Sequence, residues 1–479
     1  MSWKALAVVQ FIITLLLGAA LMAQFISVKT AGPVVREPAA PGESTLAYTP
    51  PPPPKIALET IKELSELKKA MTPTVEKITE SIYLARGFAL GSVQMVITDE
   101  GLVIIDTTES KEAAREIFDK FREITTKSVR YIIYTHGHLD HVCGTPVFLE
   151  EGTEVIATKD LVRFMARDFQ ELQDFHVRSR RNQSGNLAQE YSRKLPVKSL
   201  FRGISGFEDL VWPTITFDRE YSFALGGKAF EVFHTSGETP DHLMVWMPEE
   251  RALFCGDLYY ASFPNLSTPM LEPRPVKGWV ESLDRMIEME PEYLIPGHTP
   301  AIVGAENVRE VLTHYSGAIL HVYDRTVDCI NEGKTVEQAV RSVRLPEDLA
   351  GLPYLRELYG RVDWSVRGIY QGLTGWYDGH GTGLTPLPPG HRARETVALA
   401  GGADKILARA IELQKSGEHQ LTIELCDIVI DANPDDKLAR IVKANSLEAL
   451  AFTGGNLNMF GFYRSAAALE RKAAGVKPQ

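Results

Sequence analysis

"YIIYTHGHLDHVCG", residues 131–144, decides how the rest of the chain is read. A short apolar run is followed at once by His136, His138, Asp140 and His141. Such a run, bounded by turn residues, reads as a buried strand. A strand that ends in a loop leaves its last side chains at the sheet rim, where irregular backbone can turn several of them toward one point. Imidazole nitrogens with a carboxylate are a ligand set that zinc accepts. A lone histidine is more often structural; this crowding of metal-capable groups argues for a metal site.

Outward from this stretch, strands and helices alternate. "SIYLARGFALGSVQMVIT" and "GLVIIDT" read as strands punctuated by Gly87, Gly91 and Gly101. "SKEAAREIFDKFREI" (110–124) reads as a helix, with Ser110 as N-cap and Ala113, Ile117, Phe121 and Ile124 on one face. "TEVIAT", "KAFEVFHT", "HLMVWM", "RALFCGD" and "EYLIPGH" continue the strand series. This alternation predicts a layered α/β sandwich over residues 75–305. Beyond it strand signals fade, and residues 306–479 carry helical periodicity on both sides of a Gly/Pro-rich connector, "WYDGHGTGLTPLPPGH" (376–391).

The N-terminus has a different character. Residues 1–28 hold Lys4 and then an uncharged apolar run from Ala5 to Val28. About 20 such residues span a bilayer, so the run reads as a membrane anchor or signal segment. Residues 29–74 include five consecutive prolines, Pro50 to Pro54, and read as a Pro-rich linker. The expected location is periplasmic or extracytoplasmic.

The 479 residues are 44% hydrophobic and carry a net charge of −11, a globular balance that disfavours general nucleic-acid binding. The basic run "RSRRNQ" (178–183) reads as solvated surface. Cys143, Cys255, Cys329 and Cys426 lie far apart and form neither a disulfide framework nor a zinc ribbon.

The HxHxDH pattern of residues 136–141, preceded by "GLVIIDT" with Asp106, resembles the metallo-β-lactamase superfamily. That resemblance implies an αββα sandwich with a metal site at one edge and three further ligands downstream. "FHTSGETPDH" (233–242) offers Glu238, "RALFCGDLYY" (251–260) offers Asp257, and "LIPGHTPAIVG" (294–304) offers His298. Glutamate at position 238, where most members carry histidine, resembles the alkylsulfatase branch; Asp257 stands where that branch generally has glutamate. "WSVRGIYQGLTGWYDGHGTGLTPLPP" (364–389), "VALAGGADKILARAIEL" (397–413) and "MFGFYRSAAALE" (459–470) are similar to the all-α dimerisation domain of alkylsulfatases.

The resemblance implies two zinc ions, one held by His136, His138 and Glu238, the other by Asp140, His141 and His298, with Asp257 between them. Water bound to zinc ionises near neutral pH, so the expected nucleophile is a metal-bound hydroxide. The expected substrate is a small alkyl sulfate ester and the expected assembly a homodimer. The branch carries a Leu-Arg-Gly segment whose arginine contacts sulfate; here that region reads "FPNLSTPMLEPRPVKGW" (263–279), with Met270 near that place and Arg274 following. Arg274, Asn265, Tyr259 and Tyr260 are candidates for substrate contact. Against this, Arg274 can pair with Glu272, and the tyrosines read more readily as packing. His242 can protonate a leaving oxygen or stand behind the ligands. Alternatives keep the dizinc fold but change the substrate to a lactone, a β-lactam or a phosphodiester, or remove turnover and leave a metal-bound interaction protein.

Overall fold

The computed structural model describes residues 46–50, 72–187, 189–191, 210–272 and 274–478. The expected anchor (1–28) lies outside them, as does the linker (29–74) apart from residues 46–50 and 72–74. Among the described residues no helix is long and apolar enough to cross a membrane.

Two sheets form the centre. The first runs in sequence order: β1 (Thr74–Lys77), β2 (Ile82–Arg86), β3 (Val93–Thr98), β4 (Gly101–Ile105), β5 (Val129–Ile133), β6 (Glu154–Thr158) and β7 (Ile215–Phe217). β1 to β4 pair antiparallel, and β4 to β7 pair parallel. The second is ordered β13 (Ile302–Val303), β12 (Tyr293–Pro296), β11 (Ala252–Gly256), β10 (Leu243–Met247), β9 (Lys228–His234), β8 (Glu220–Leu225).

Side-chain alternation along each strand sorts residues between layers. In β4, Val103 and Ile105 face the second sheet, where they join Ile133, Val232, Val245, Phe254 and Ile295. Leu102 and Ile104 face the other way, onto α1 (Lys111–Ile124), through Ala114, Ile117 and Phe121. Each fully buried Ile or Phe of this kind contributes about 1.5–3 kcal/mol. The Ser110 hydroxyl caps α1 by accepting from the Ala113 N–H at 3.2 Å. Ile124, expected on the buried face, is 40% exposed, because the helix ends there at Thr125.

The outer face of the second sheet presents Met244, Leu253, Cys255 and Leu294 to α4 (Val276–Glu288) and α5 (Ala305–Asn331), with α2 (Lys159–Ala166) and α3 (Gln173–Gln183) lying earlier in the chain. The same core continues through α6 (Val336–Ser342) to Val362, Val366 and Ile369 of α7 (Val362–Thr374). The expected boundary near residue 306 therefore does not coincide with a change of core: α5 to α7 are the outer layer of the sandwich. An amphipathic pattern shows that a helix buries one face but not which element covers it. A separate core begins at Ala393 and is built by α8 (Pro389–Ala400), α9 (Ala403–Lys415), α10 (His419–Ala432) and α11 (Lys437–Thr453). α12 (Leu457–Ala473) packs on α11 and, through Ser465, on the backbone of Arg181 and Asn182 at the end of α3.

Candidate metal centre

The loops that follow β5, β9, β11 and β12 meet at one rim of the sandwich. They bring together two groups of metal-capable side chains, His136, His138, Glu238 and Asp257 in one and Asp140, His141 and His298 in the other, with ligand atoms within 4.8 Å in each. Asp257 joins them: its Oδ2 lies 3.8 Å from His136 Nε2, 3.5 Å from His141 Nε2 and 2.9 Å from His298 Nε2. Asp140 Oδ2 is 3.6 Å from both His141 Nε2 and His298 Nε2. Nothing but glycine fits beside Asp257. A Cβ on Gly297 would fall 2.4 Å from Asp257 Oδ1, and one on Gly256, whose φ is +47°, would fall 2.7 Å from Thr135.

Hydrogen bonds behind the cluster fix which nitrogen each ring turns inward. Asp106 is fully buried; its Oδ1 accepts from Thr135 N–H and its Oδ2 from the Thr135 hydroxyl and from His141 Nδ1, each at 2.8 Å. The Thr135 hydroxyl gives its proton to Asp106, so its oxygen is left to accept from His136 Nδ1 at 3.1 Å. His298 Nδ1 donates to Leu90 O at 2.9 Å. In the neutral ring each of the three thus carries its proton on Nδ1 and turns Nε2 toward the cluster, the tautomer that a cation needs. His138 presents Nδ1 instead, 2.9 Å from His136 Nε2. Asp106 and Thr108 hold this corner with left-handed backbone, φ 57° and 63°, a strain of about 1–3 kcal/mol each that clusters at functional sites.

The donor set fits divalent cations. Among the described residues, His141 Nε2, Glu238 Oε2 and Asp257 Oδ1 are buried with no hydrogen-bond partner, and these atoms belong to the cluster. Burial, aided by neighbouring cationic groups, holds His136 and His138 well below the usual imidazole range. For His298 burial acts against the charge, but Asp257 outweighs it and pushes the ring up to about 9. Burial likewise pushes Glu238 up to about 8, against the pull of Arg274.

The chain matches two sequence families, whose division falls before α6 and so earlier than the change of core at Ala393. Residues 87–298 match the metallo-beta-lactamase superfamily, and residues 335–473 match alkyl sulfatase dimerisation. A linear primary-alkylsulfatase of a Pseudomonas species is 34% identical over 397 residues, covering 80% of this chain and 74% of that protein. The chain belongs to the alkylsulfatase family. An alkyl/aryl-sulfatase of Saccharomyces cerevisiae is 27% identical over 78% of this chain, which spans 60% of that relative's length. The solved structure of the stereoselective inverting sec-alkylsulfatase Pisa1 from a Pseudomonas species shares the fold, with a TM-score of 0.76 and 24% identity over 84% of this chain and 66% of that one.

The substrate side of this alkylsulfatase-family site departs from the sequence reading in several places. Arg274 does not pair with Glu272, which Arg167 holds at 2.7 Å. It is buried against Glu238, with Nη2 3.0 Å from Oε1 and Nη1 donating to the Glu238 carbonyl. His242 is unsuited to protonating a leaving group. Its Nε2 accepts from Asp257 N–H at 3.1 Å, its Nδ1 faces the Thr235 hydroxyl at 3.3 Å, and its ring stacks on His136 at 4.8 Å. Both nitrogens are engaged away from any substrate, so His242 stands behind the ligands and positions Asp257. Asn265 is fully buried with neither its Oδ1 nor its Nδ2 partnered, and Thr268 Oγ1 and Thr299 Oγ1 are likewise free among the described residues. Tyr260 ties Asn265 to the site: its hydroxyl accepts from Asn265 N–H at 2.6 Å, and its ring stands 6.5 Å from His298. Tyr259 is packing, edge-on to Tyr315 at 5.0 Å. Met270, near the place of the branch arginine, has left-handed backbone (φ 61°) and gives its carbonyl to Ser179.

Four residues went unnoticed in the sequence. Thr135 orients His136 as described. Asp241, buried, accepts from Gly137 N–H at 2.8 Å and holds the turn between the first two histidines. Glu109 accepts from Leu90 and Gly91 N–H at 2.6 and 3.2 Å, and so supports the carbonyl that orients His298. Tyr359, from the connector before α7, stands edge-on to Tyr260 at 5.4 Å. Only Thr135 and Asp241 carried a usable signal, each being a polar residue flanked by candidate ligands.

Proposed function

We propose that the chain hydrolyses alkyl sulfate monoesters, ROSO3− + H2O giving ROH and HSO4−, with two divalent cations of zinc-like preference. The seven side chains of the two groups, four imidazoles and three carboxylates, would hold them. When bound, such cations supply Lewis acidity, activating water and drawing off charge that develops on the ester oxygens. The chain's own residues do the rest. Asp106, Thr135 and Leu90 fix the ligand rings, and His242 fixes Asp257. Arg274 offers guanidinium donors at the rim, suited to flat, multidentate contact with sulfate oxygens. Asn265 adds an amide with unused donor and acceptor capacity, and burial of both groups limits competing water.

The observation that carries this reading is Asn265, fully buried with its amide unpartnered and tied through Tyr260 to the neighbourhood of His298, on the same loop as Arg274, which is buried against Glu238. Buried polar groups are nearly always satisfied, so a set left open beside metal-capable side chains is what an anionic ester would complete. A groove of about 320 Å³ is lined by Arg167, Leu172, Phe175, His176, Leu271 and Glu272, and its three apolar side chains suit an alkyl tail. Arg167 lies over Phe164 at 5.6 Å, and Phe164 stands 6.0 Å from His138, which joins groove and cluster.

The test is turnover of hexyl, octyl and dodecyl sulfate by the purified full chain, alongside a phosphodiester and a lactone, with sulfate release, metal content and chelator sensitivity measured together. Release of sulfate that stops with chelator and returns with zinc supports the proposal. Lactone turnover without sulfate release overturns the substrate assignment, and binding without turnover favours an interaction protein.

Homodimer formation is part of the same proposal. Leu373, Trp376, Tyr377, Leu384, Leu387 and Leu399 are exposed along the end of α7, the connector and α8, with Trp376 at 73%. Trp376 and Tyr377 are thus left unpacked within one chain, whereas Val362, Val366 and Ile369 just before them are buried. Light scattering of Trp376→Ser against the parent chain tests the dimer. The apolar run Ala5–Val28 supports an extracytoplasmic location, which fractionation of the native host tests.

A further inference from the structure

The segment around Tyr48 lies on the far C-terminal helices, not on the sandwich whose first strand it precedes. Its residues alternate inward and outward: Leu46 and Tyr48 are half-buried, and Ala47 and Thr49 are exposed, the pattern of an extended strand. Leu46 and the Tyr48 ring pack on the core formed by α8 to α11, which includes Ala410, Ile411, Cys426, Val429 and Val442. The Tyr48 hydroxyl donates to Gln414 Oε1 at 2.7 Å and accepts from Asn445 Nδ2 at 2.9 Å.

The socket residues are also held by bonds that do not involve the tyrosine. Gln414 is buried, and its Nε2 is already committed to Val442 O at 2.9 Å and Ser446 Oγ at 2.7 Å. Asn445 Oδ1 is committed to Arg471 Nη2 at 3.3 Å, and Arg471 in turn pairs with Glu448. Each socket residue therefore offers one remaining function, an acceptor on Gln414 and a donor on Asn445. A phenol both donates and accepts, so one hydroxyl answers both at once; phenylalanine answers neither, and serine is too short to reach them from an extended backbone. Without the tyrosine, Gln414 Oε1 would be a buried acceptor left bare, a state disfavoured by about 1–3 kcal/mol.

We propose that the α8–α12 bundle carries a docking socket for an extended, tyrosine-bearing segment, and that its occupant is residues 46–50 of the same chain. The clasp pins the N-terminal segment to the bundle across 366 residues of sequence.

The experiment uses the full chain and its Tyr48→Phe and Tyr48→Ala variants. Chymotryptic cleavage after residue 48 is timed in the parent and Tyr48→Phe chains against a free synthetic peptide covering residues 44–52, and the same peptide, fluorescently labelled, is titrated onto each protein. The parent chain is expected to resist cleavage there and to exclude the peptide. Tyr48→Phe is expected to be cut about tenfold faster, the effect of losing roughly 1.4 kcal/mol of hydrogen bonding. Tyr48→Ala is expected to bind the labelled peptide, with sulfate-ester turnover and metal content unchanged, so the outcome is separable from the test of hydrolysis. Cleavage of the parent chain at the free-peptide rate overturns the clasp, as does a Tyr48→Ala protein that ignores the peptide. Resistance that disappears on dilution to monomer overturns the assignment to the same chain.

Discussion

Asp106→Asn is the most informative single change, because it keeps the shape of the corner while removing the charge that orients the cluster. Three donors converge on the Asp106 carboxylate: Thr135 N–H on one oxygen, and the Thr135 hydroxyl and His141 Nδ1 on the other, all at 2.8 Å. An amide supplies one acceptor oxygen where two are needed. If that oxygen serves His141 and the Thr135 hydroxyl, the amide NH2 opposes Thr135 N–H and a buried donor goes unmet, which costs about 1–3 kcal/mol of folding stability. If the amide turns over, its N–H meets His141 Nδ1 and moves the ring proton to Nε2, the atom that faces Asp257 at 3.5 Å and would bind the cation. Removing a carboxylate behind a histidine ligand lowers metal affinity by about 10–100-fold, or roughly 1.4–2.8 kcal/mol. Competition with a chromophoric chelator measures the affinity, and melting with excess chelator separates the folding effect. A variant that binds zinc within about twofold of the parent would refute the orientation argument, since the expected loss is at least tenfold.

Arg274→Ala is expected to raise KM for an alkyl sulfate by about 10–100-fold, the worth of a hydrogen bond to a charged group, with metal content retained; Arg274→Lys should not rescue it, because a point charge lacks the planar fork. Asn456→Asp keeps the oxygen that caps Met459 N–H on α12 but loses the donor to the carbonyls of Glu357, Tyr359 and Gly360. KM is expected to rise roughly threefold to tenfold, from about 1 kcal/mol of lost bonding, with kcat and metal content near those of the parent; equal loss of kcat and metal would mean general unfolding. For pH, His298 is raised to about 9 and Glu238 to about 8, so protons compete with a cation for both. Both groups bind protons more tightly folded than unfolded, so metal-free stability falls as pH rises from the ordinary values of these groups through 8 to 9. The melting-temperature gap between metal-loaded and chelated protein should therefore widen from pH 6 to pH 9, and a narrowing gap would contradict the assignment.

The ligand side of the site was legible because each candidate directly follows the strand that delivers it. "THGHLDH", "SGE", "CGD" and "PGH" close β5, β9, β11 and β12 or lie in the turn beyond. The glycines in the last two have a steric reason at Gly256 and Gly297, so the motif and the packing are one constraint. His242 was ambiguous because spacing places a ring near a cluster without saying which way its nitrogens point. Its role became clear only once Asp257 N–H and Thr235 were seen to use both of them.

The substrate side was far less legible, for a physical reason. Asn265 and Arg274 lie on one loop, but that loop is held from elsewhere: Phe263 N–H bonds Arg356 O at 2.9 Å, Gly360 N–H bonds Phe263 O at 3.1 Å, and Tyr359 N–H bonds the Ser262 hydroxyl at 3.1 Å. Residues 356–360 are in turn fixed by Asn456 and Asn458 at the start of α12, and Asn458 also takes Gln183 from α3 at 2.8 Å. Three segments far away in sequence, at Gln183, residues 356–360 and residues 456–458, thus shape one loop, and no local pattern in the loop's own sequence announces partners so distant. The Cβ of any residue at 360 other than glycine would meet the Pro264 carbonyl at 2.0 Å, so the loop and the connector can only move together. It follows that changes in the connector or at the start of α12 should alter which ester is accepted while leaving the cations bound, and that changes behind the histidines should do the reverse.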